Sequence, residues 1–240
     1  MINLSTIIMS TKLENAKLNS TVKFLSLADQ ICDHLFQAII SGKLKPGEKL
    51  VENELCREFG ISRAPIRESF RMLESEGLIV IQPRKGTYVK ALTREDIEEA
   101  FAVREALESL AAKLAVPHMT EAEMNALGNL INEMGTAIKK KDSESFRKAN
   151  VAFHEIFIRA SRNKTLLNIL ETLGKGIWMR ISSMYYQSTE GFPLSNTAHK
   201  EIWKAYKNKD GVRIKKLVEQ HIEHARDRLL KFYDQANGAK

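Results

Sequence analysis

The chain has 240 residues, of which 43% are hydrophobic and 28% charged, enough apolar material for the cores of two modest globular domains. Its net charge of +7 suits a polyanionic partner, although such a charge also occurs in proteins that bind none. Cys32 and Cys56 are too few for a disulfide framework and too far apart for a paired zinc motif, so we expect a reducing cytosol and two small core residues.

The first residues, MINLSTIIMS, are apolar but have neither a basic start nor a small-residue cleavage site after them. No later run approaches the length of a membrane span. We therefore expect residues 1–20 to be a disordered tail, and the protein to be cytoplasmic with no membrane partner.

Three helices are predicted next. SLADQICDHLFQAIISG has apolar residues at helical spacing, with Ser26 as its cap. VENELCREFG predicts a short helix, and SRAPIRESFRMLESEG predicts another after a glycine-containing turn. Two short helices joined in this way form a helix-turn-helix.

The second helix of this motif has a basic face. Ser62 can cap its free amides, and Pro65 lies in the first turn, where a missing amide hydrogen costs little. Arg63, Arg67 and Arg71 recur every four residues, so they share one face, opposite an apolar stripe. This pattern is typical of a recognition helix.

The hairpin that follows completes the motif. LIVIQPRKGTYV contains two β-prone runs around PRKG, which predicts a hairpin with a basic tip. Such a hairpin is the wing of a winged helix-turn-helix, and we assign residues 21–92 to this domain.

Beyond residue 92 the pattern is wholly helical. Thr93 and Thr120 open helices with capping boxes, and Asp142 caps a third. TLLNILETLGKGIWMRISSMYY predicts one helix interrupted by glycines, and Pro193 is expected to break the chain before NTAHKEIWKAYKN. With no βαβ alternation, about six helices should form an all-α bundle over residues 93–235, so the fold class is mainly α.

Two stretches resemble known domains. SGKLKPGEKLVENELCREFGISRAPIRESFRMLESEGLIVIQPRKGTYV resembles the DNA-binding domain of GntR-family regulators along its full length. VREALESLAAKLA, AFHEIFIRASRN, AHKEIWKAY and QHIEHA look like the FCD ligand-binding domain of the FadR-type subfamily. The resemblance covers about residues 22–233. It implies a transcription regulator, a repressor rather than an enzyme, whose operator binding is modulated by a small organic acid or similar metabolite.

The resemblance also implies which residues contact DNA. The family places base and phosphate contacts at the start of the recognition helix and on the wing, positions that are here Ser62, Arg63, Ala64, Arg67, Arg84, Lys85 and Gly86. Arg63 and Arg67 can offer bidentate donors to guanine in the major groove. Asn53 stands where some family members carry a DNA-contacting arginine, so the operator sequence does not carry over. We expect a homodimer on a palindromic operator, because one winged helix offers a small interface.

Many family members bind a divalent metal through one Asp and three His, positions that are here Asn150, His154, His199 and His221. This donor set suits zinc or nickel first, and also copper or ferrous iron. Asn150 replaces the family's Asp, which should lower the metal affinity and favour an anionic ligand. Ligand binding with little or no metal stays open.

Arg104 has two interpretations. It can pair with the carboxylate of an effector, or form an ion pair with Glu108 at four-residue spacing. His224 is interpreted as a surface residue, and Trp178, Tyr185 and Tyr186 as core or pocket residues. Two other functions remain: a metal-dependent hydrolase or lyase, for which no carboxylate in the matched cluster could act as base, and a dimerisation scaffold with a degenerate pocket.

Overall fold

The structure, a computed structural model, describes residues 26–173, 176–187 and 189–238. The tail expected over 1–20 lies outside these residues. No helix in this part of the chain is long and apolar enough to cross a membrane.

The N-terminal part is a three-helix unit with a small sheet, as the winged helix-turn-helix prediction requires. The strand order is β1-β3-β2 with both pairs antiparallel, and Ile81 lies opposite Thr87 beside the hairpin tip. Ile66, Phe70 and Leu73 are buried in the core of this unit, as their spacing predicts. The elements are α1 (Leu27–Ile40), β1 (Lys49–Leu50), α2 (Glu52–Phe59), α3 (Arg63–Ser75), β2 (Ile79–Gln82) and β3 (Gly86–Val89).

Caps decide where these helices begin. Ser26 and Asp29 form the capping box that opens α1. Ser62 occupies the N-cap of α3 with extended backbone, but its side chain makes no capping hydrogen bond, contrary to the prediction. The Ser62 hydroxyl, which is exposed, is therefore free for an external partner.

The C-terminal part is all helical and has its own hydrophobic core. The predicted capping boxes at Thr93 and Thr120, and the Asp142 cap, are all present. The helices are α4 (Arg94–Ala115), α5 (Glu121–Lys140), α6 (Ser143–Ala160), α7 (Lys164–Leu173), α8 (Ile177–Tyr185), α9 (Phe192–Lys207) and α10 (Gly211–Asn237). The fold class predicted from the sequence is confirmed.

Two boundaries differ from the prediction. The single helix expected between residues 165 and 186 is two, α7 and α8, because Gly176 adopts a left-handed φ of 59°. Pro193 does not break the chain before α9; it lies in the first turn of that helix. A proline fits there because first-turn amides have no partner within the helix.

Helix α8 touches the N-terminal unit. The Arg180 guanidinium donates a hydrogen bond to the backbone carbonyl of Lys90, directly after β3. Gly176 lies against the backbone of Glu76, the C-cap of α3, and α8 also contacts α1. Helix α8, whose N-cap is Gly176, is thus packed between the hydrophobic cores of the N-terminal and C-terminal parts.

Candidate functional site

The start of α3 presents an exposed polar and basic surface. Ser62, Arg63, Ala64 and Arg67 are all exposed. Arg67 donates its Nε hydrogen to both carboxylate oxygens of Glu52, at 3.0 and 3.1 Å. Exposed ion pairs contribute only about 0–1 kcal/mol, so this pair would yield readily to a stronger anion such as a phosphate.

The wing is a tight turn held by local contacts. Arg84 and Gly86 both have positive φ, 63° and 127°. The φ of Gly86 is one that L side chains rarely adopt, so the turn favours glycine at this position. The Tyr88 hydroxyl donates to the carbonyl of Lys85 at 3.0 Å. The exposed side chains of Arg84 and Lys85 stand at the tip of this hairpin.

Three histidines from three helices meet inside the C-terminal domain. His154 of α6 has its Nε2 at 3.3 Å from Nε2 of His199 on α9, and at 3.3 Å from Nε2 of His221 on α10. All three side chains are buried. Burial, followed by the neighbouring His154, lowers the pKa of His199 well below its usual range, and burial with the other two histidines does the same for His221. His199 and His221 are therefore neutral, so each has one ring nitrogen whose lone pair can bind a metal ion.

A carboxylate from outside the four matched positions contacts this cluster. Glu108 Oε2 lies 2.5 Å from Nδ1 of His154, and its other oxygen accepts the Nε hydrogen of Arg104. Burial would raise the pKa of the Glu108 carboxyl, but Arg104 and His154 outweigh it and hold the pKa far below its usual range. An ionised Glu108 keeps the proton of His154 on Nδ1 and leaves Nε2 as a lone pair.

The donor set fits a divalent metal ion. Three nitrogens bound at about 2.0–2.1 Å to one tetrahedral ion lie about 3.3–3.4 Å apart, close to the two separations observed. Without an ion, the His154 Nε2 lone pair could accept a hydrogen from only one of its two histidine neighbours. Asn150, one turn before His154, donates from Nδ2 to the Tyr186 hydroxyl at 2.7 Å, so its carbonyl oxygen remains free.

A cavity of about 600 Å³ opens beside the cluster, between α4, α6, α7 and α8. Arg104, Glu108, Asn150 and His154 form its polar end. The Arg104 guanidinium lies 4.8 Å from the centre of the Trp178 ring, which also lines the cavity. The volume lies within the range of small-molecule pockets.

Known proteins match both parts of the chain. The profile of the bacterial regulatory proteins of the gntR family matches residues 27–89, and the FCD domain profile matches residues 99–224. The HTH-type transcriptional regulator YdhC of Bacillus subtilis is 33% identical over 198 residues, which span 81% of this chain and 87% of that protein. The chain belongs to the GntR family and carries an FCD domain.

A second relative is a named transcriptional repressor, and a solved structure shares the fold. The gluconate operon transcriptional repressor of Bacillus licheniformis is 29% identical over 208 residues, 84% of this chain and 85% of that protein. The Escherichia coli McbR/YncC structure has a TM-score of 0.65 at 23% identity, covering 89% of this chain and all of that chain, a likeness of fold. This GntR protein is thus a DNA-binding transcription regulator, and its FCD domain is a small-molecule-binding regulatory domain.

The acidic and basic residues nearest the histidines in sequence do not join the cluster in this GntR protein. His224 is exposed, as predicted. Glu155 and Glu201, which adjoin His154 and His199 in sequence, pair on the surface with Arg159 and Lys204. The contact missed by sequence reasoning is that of Glu108 with His154, 46 residues away. The VREALE pattern indicated the pairing of Glu108 with Arg104 but not this second contact.

Proposed function

We propose that this GntR protein is a homodimeric repressor whose FCD domain holds a divalent metal ion, zinc or nickel, and binds the carboxylate of an organic acid beside it. The observation that carries the proposal is the meeting of three Nε2 atoms, with the tautomer of His154 set by Glu108. Asn150, His154, His199 and His221 would hold the ion. When bound, it would supply a Lewis-acidic position for a ligand carboxylate.

Arg104 is the second anchor for that carboxylate. The ion pair with Glu108 uses only its Nε hydrogen, and a guanidinium has four further N–H donors. Glu108 is engaged by both Arg104 and His154, so it is not free to act as a general base. This engagement favours a binding site over a hydrolase or lyase.

On the DNA side we propose that Ser62, Arg63, Ala64 and Arg67 enter the major groove. Arg84, Lys85 and Gly86 would contact the adjacent backbone or minor groove. The exposure of the four α3 residues and of Arg84 and Lys85 at the basic wing tip supports this assignment. The proposed domains span residues 21–92 and 93–235.

The metal assignment is tested on untagged protein by elemental mass spectrometry, with His154→Ala and His199→Ala as variants and the exposed His224→Ala as control. We expect a near-stoichiometric transition metal in the wild type and the control, and its loss in the two cluster variants. A metal-free wild type that cannot be reloaded with zinc or nickel would overturn the metal site.

The DNA assignment is tested by selecting bound sequences from a random double-stranded pool. We expect a palindrome, and Arg63→Ala should relax preference at one position of each half-site. Lys85→Ala should weaken binding to all sequences and lower the salt slope by about one. Arg213→Ala, on α10, is the charge-matched control. Selection of no common sequence would contradict the assignment.

A further inference from the structure

Most of the cavity wall is apolar, although the polar end belongs to the site just proposed. Val103 on α4 and Val151 on α6 are 45% and 46% exposed, and Leu173 on α7 and Met179 on α8 are 43% and 36% exposed. Leu170 and Trp178 line the same space. Large apolar side chains from four helices thus face one cavity without being covered by the protein.

The groups in the cavity that could bind ligand hydroxyls are mostly charged side chains, several of which are already paired within the protein. Among the described lining residues, Ser182 and Tyr186 alone carry a hydroxyl group. The Tyr186 hydroxyl already accepts a hydrogen from Asn150. Hydroxyls of a polyhydroxy ligand that lie against the apolar surface of Val103, Val151, Leu173 and Met179 would lose hydrogen bonds to water without replacing them, and each unmatched hydroxyl costs free energy.

The outer part of the cavity also disfavours a second carboxylate. The acidic lining residues there are Asp96, Glu99, Glu155 and Glu171. The two outer basic residues, Arg147 and Arg159, are held by Glu144 and Glu155. Among the described lining residues, Arg104 attracts an anion most strongly, because its side chain is 18% exposed whereas those of Arg147 and Arg159 are 37% and 63% exposed and screened by water. The cavity therefore matches one anionic group and an apolar body.

We propose that the effector is a monocarboxylate with an apolar body, of the class of medium-chain or aryl alkanoates, rather than a sugar acid or a dicarboxylate. The inference rests on the proposed function, since Arg104 and the histidine end take the carboxylate. Val103, Val151, Leu173 and Met179 cover the apolar body.

Calorimetric titration of the zinc-loaded full chain tests this with acetate, butanoate, hexanoate, octanoate, adipate and gluconate. Each added methylene should raise affinity about two- to fourfold until the cavity is filled, since burying one methylene is worth a factor of about four at most. Hexanoate should bind at least tenfold more tightly than gluconate and adipate, which have the same number of carbon atoms.

Two variants test whether the apolar wall of the cavity causes the rise in affinity along the alkanoate series. Val151→Asn should weaken hexanoate binding about fivefold or more and leave acetate binding unchanged. The control is Val212→Asn on α10, where Val212 is 78% exposed. This change should alter neither hexanoate affinity nor acetate affinity. Acetate and gluconate binding with no gain along the alkanoate series would overturn this inference but not the proposed function. Failure of every carboxylate to bind would overturn both.

Discussion

Glu108 joins two buried residues of the proposed effector site. It accepts from Arg104 on its own helix and from His154 on α6, and its side chain is only 7% exposed. Arg104 also lies against the Trp178 ring. The Glu108 carboxylate therefore fixes both the position of Arg104, the proposed anchor for the ligand, and the tautomer of His154, a proposed metal ligand. Removal of the Glu108 carboxylate should therefore lower both the free energy of unfolding and the affinity for a metal ion.

Glu108→Gln tests this role. The amide keeps the shape but leaves the Arg104 charge buried without a counter-ion, so we expect a loss of about 3 kcal/mol in the free energy of unfolding. Zinc affinity should fall about 10- to 100-fold, as is usual when the partner of a ligating histidine is removed. Urea unfolding and zinc competition with a chelating dye measure the two effects. Glu201→Gln, next to His199 but on the surface, is the control; equal zinc affinity in both variants would contradict the role.

Asn150→Asp restores the carboxylate that the family pattern has at this position. The Tyr186 hydroxyl, which accepts from Asn150, can turn to donate to the new carboxylate. An added negative charge in the proposed ligand set should raise zinc affinity about tenfold. The same dye competition measures it, with Asn168→Asp on the exposed face of α7 as control. Unchanged affinity would show that residue 150 is not a ligand.

The three histidines could be predicted from the sequence because each stands in a segment that resembles the FCD domain. The contact between Glu108 and His154 could not be predicted. It joins residues from different helices, and which of several glutamates faces His154 depends on how α4 packs against α6. Glu155 and Glu201, nearer in sequence, point elsewhere because neighbouring residues in a helix lie on different faces.

Among the elements, the helix starts marked by a capping box were the most predictable feature. Thr93 and Thr120 cap as expected, because a capping box is a local pattern. The separation into α7 and α8 was not predicted, because the apolar run continues through it, although the interrupting glycines include Gly176 with its positive φ. The start of α9 was misplaced because a proline is tolerated in a first turn.

Gly176→Ala should therefore destabilise the protein, by about 2 kcal/mol or more. A left-handed φ costs a non-glycine residue about 1–2 kcal/mol, and a Cβ here would also overlap the carbonyl oxygen of Glu76. Calorimetric melting of the full chain measures the loss. Gly211→Ala is the control, because a Cβ there would only contact Val116 at an ordinary 3.5 Å. Equal melting temperatures in the two variants would show that α8 does not depend on this turn.

At the scale of the whole molecule, α8 is shared by the proposed effector cavity and the DNA-binding unit. Trp178, Met179 and Ser182 line the cavity. On the same helix, Arg180 donates to the carbonyl of Lys90, whose amide in turn donates to Leu78 before β2. A ligand that shifts α8 would thus move a group bonded to the base of the wing. Sequence patterns could not predict this arrangement, because it depends on how the N-terminal and C-terminal parts pack against each other.

Arg180→Met should separate ligand binding from its effect on DNA. The change keeps a long apolar stem but removes the donor to Lys90, while the cavity residues stay in place. We expect hexanoate affinity within about twofold of wild type. The factor by which hexanoate changes operator affinity should fall toward one from the 5- to 150-fold typical of coupled sites. Fluorescence anisotropy on the selected palindrome, with and without saturating hexanoate, measures that factor, and Arg213→Met on α10 is the control. A factor equal to that of the wild type would show that the two units communicate by another route, because a bond that transmits a ligand's binding energy cannot be removed without reducing the coupling.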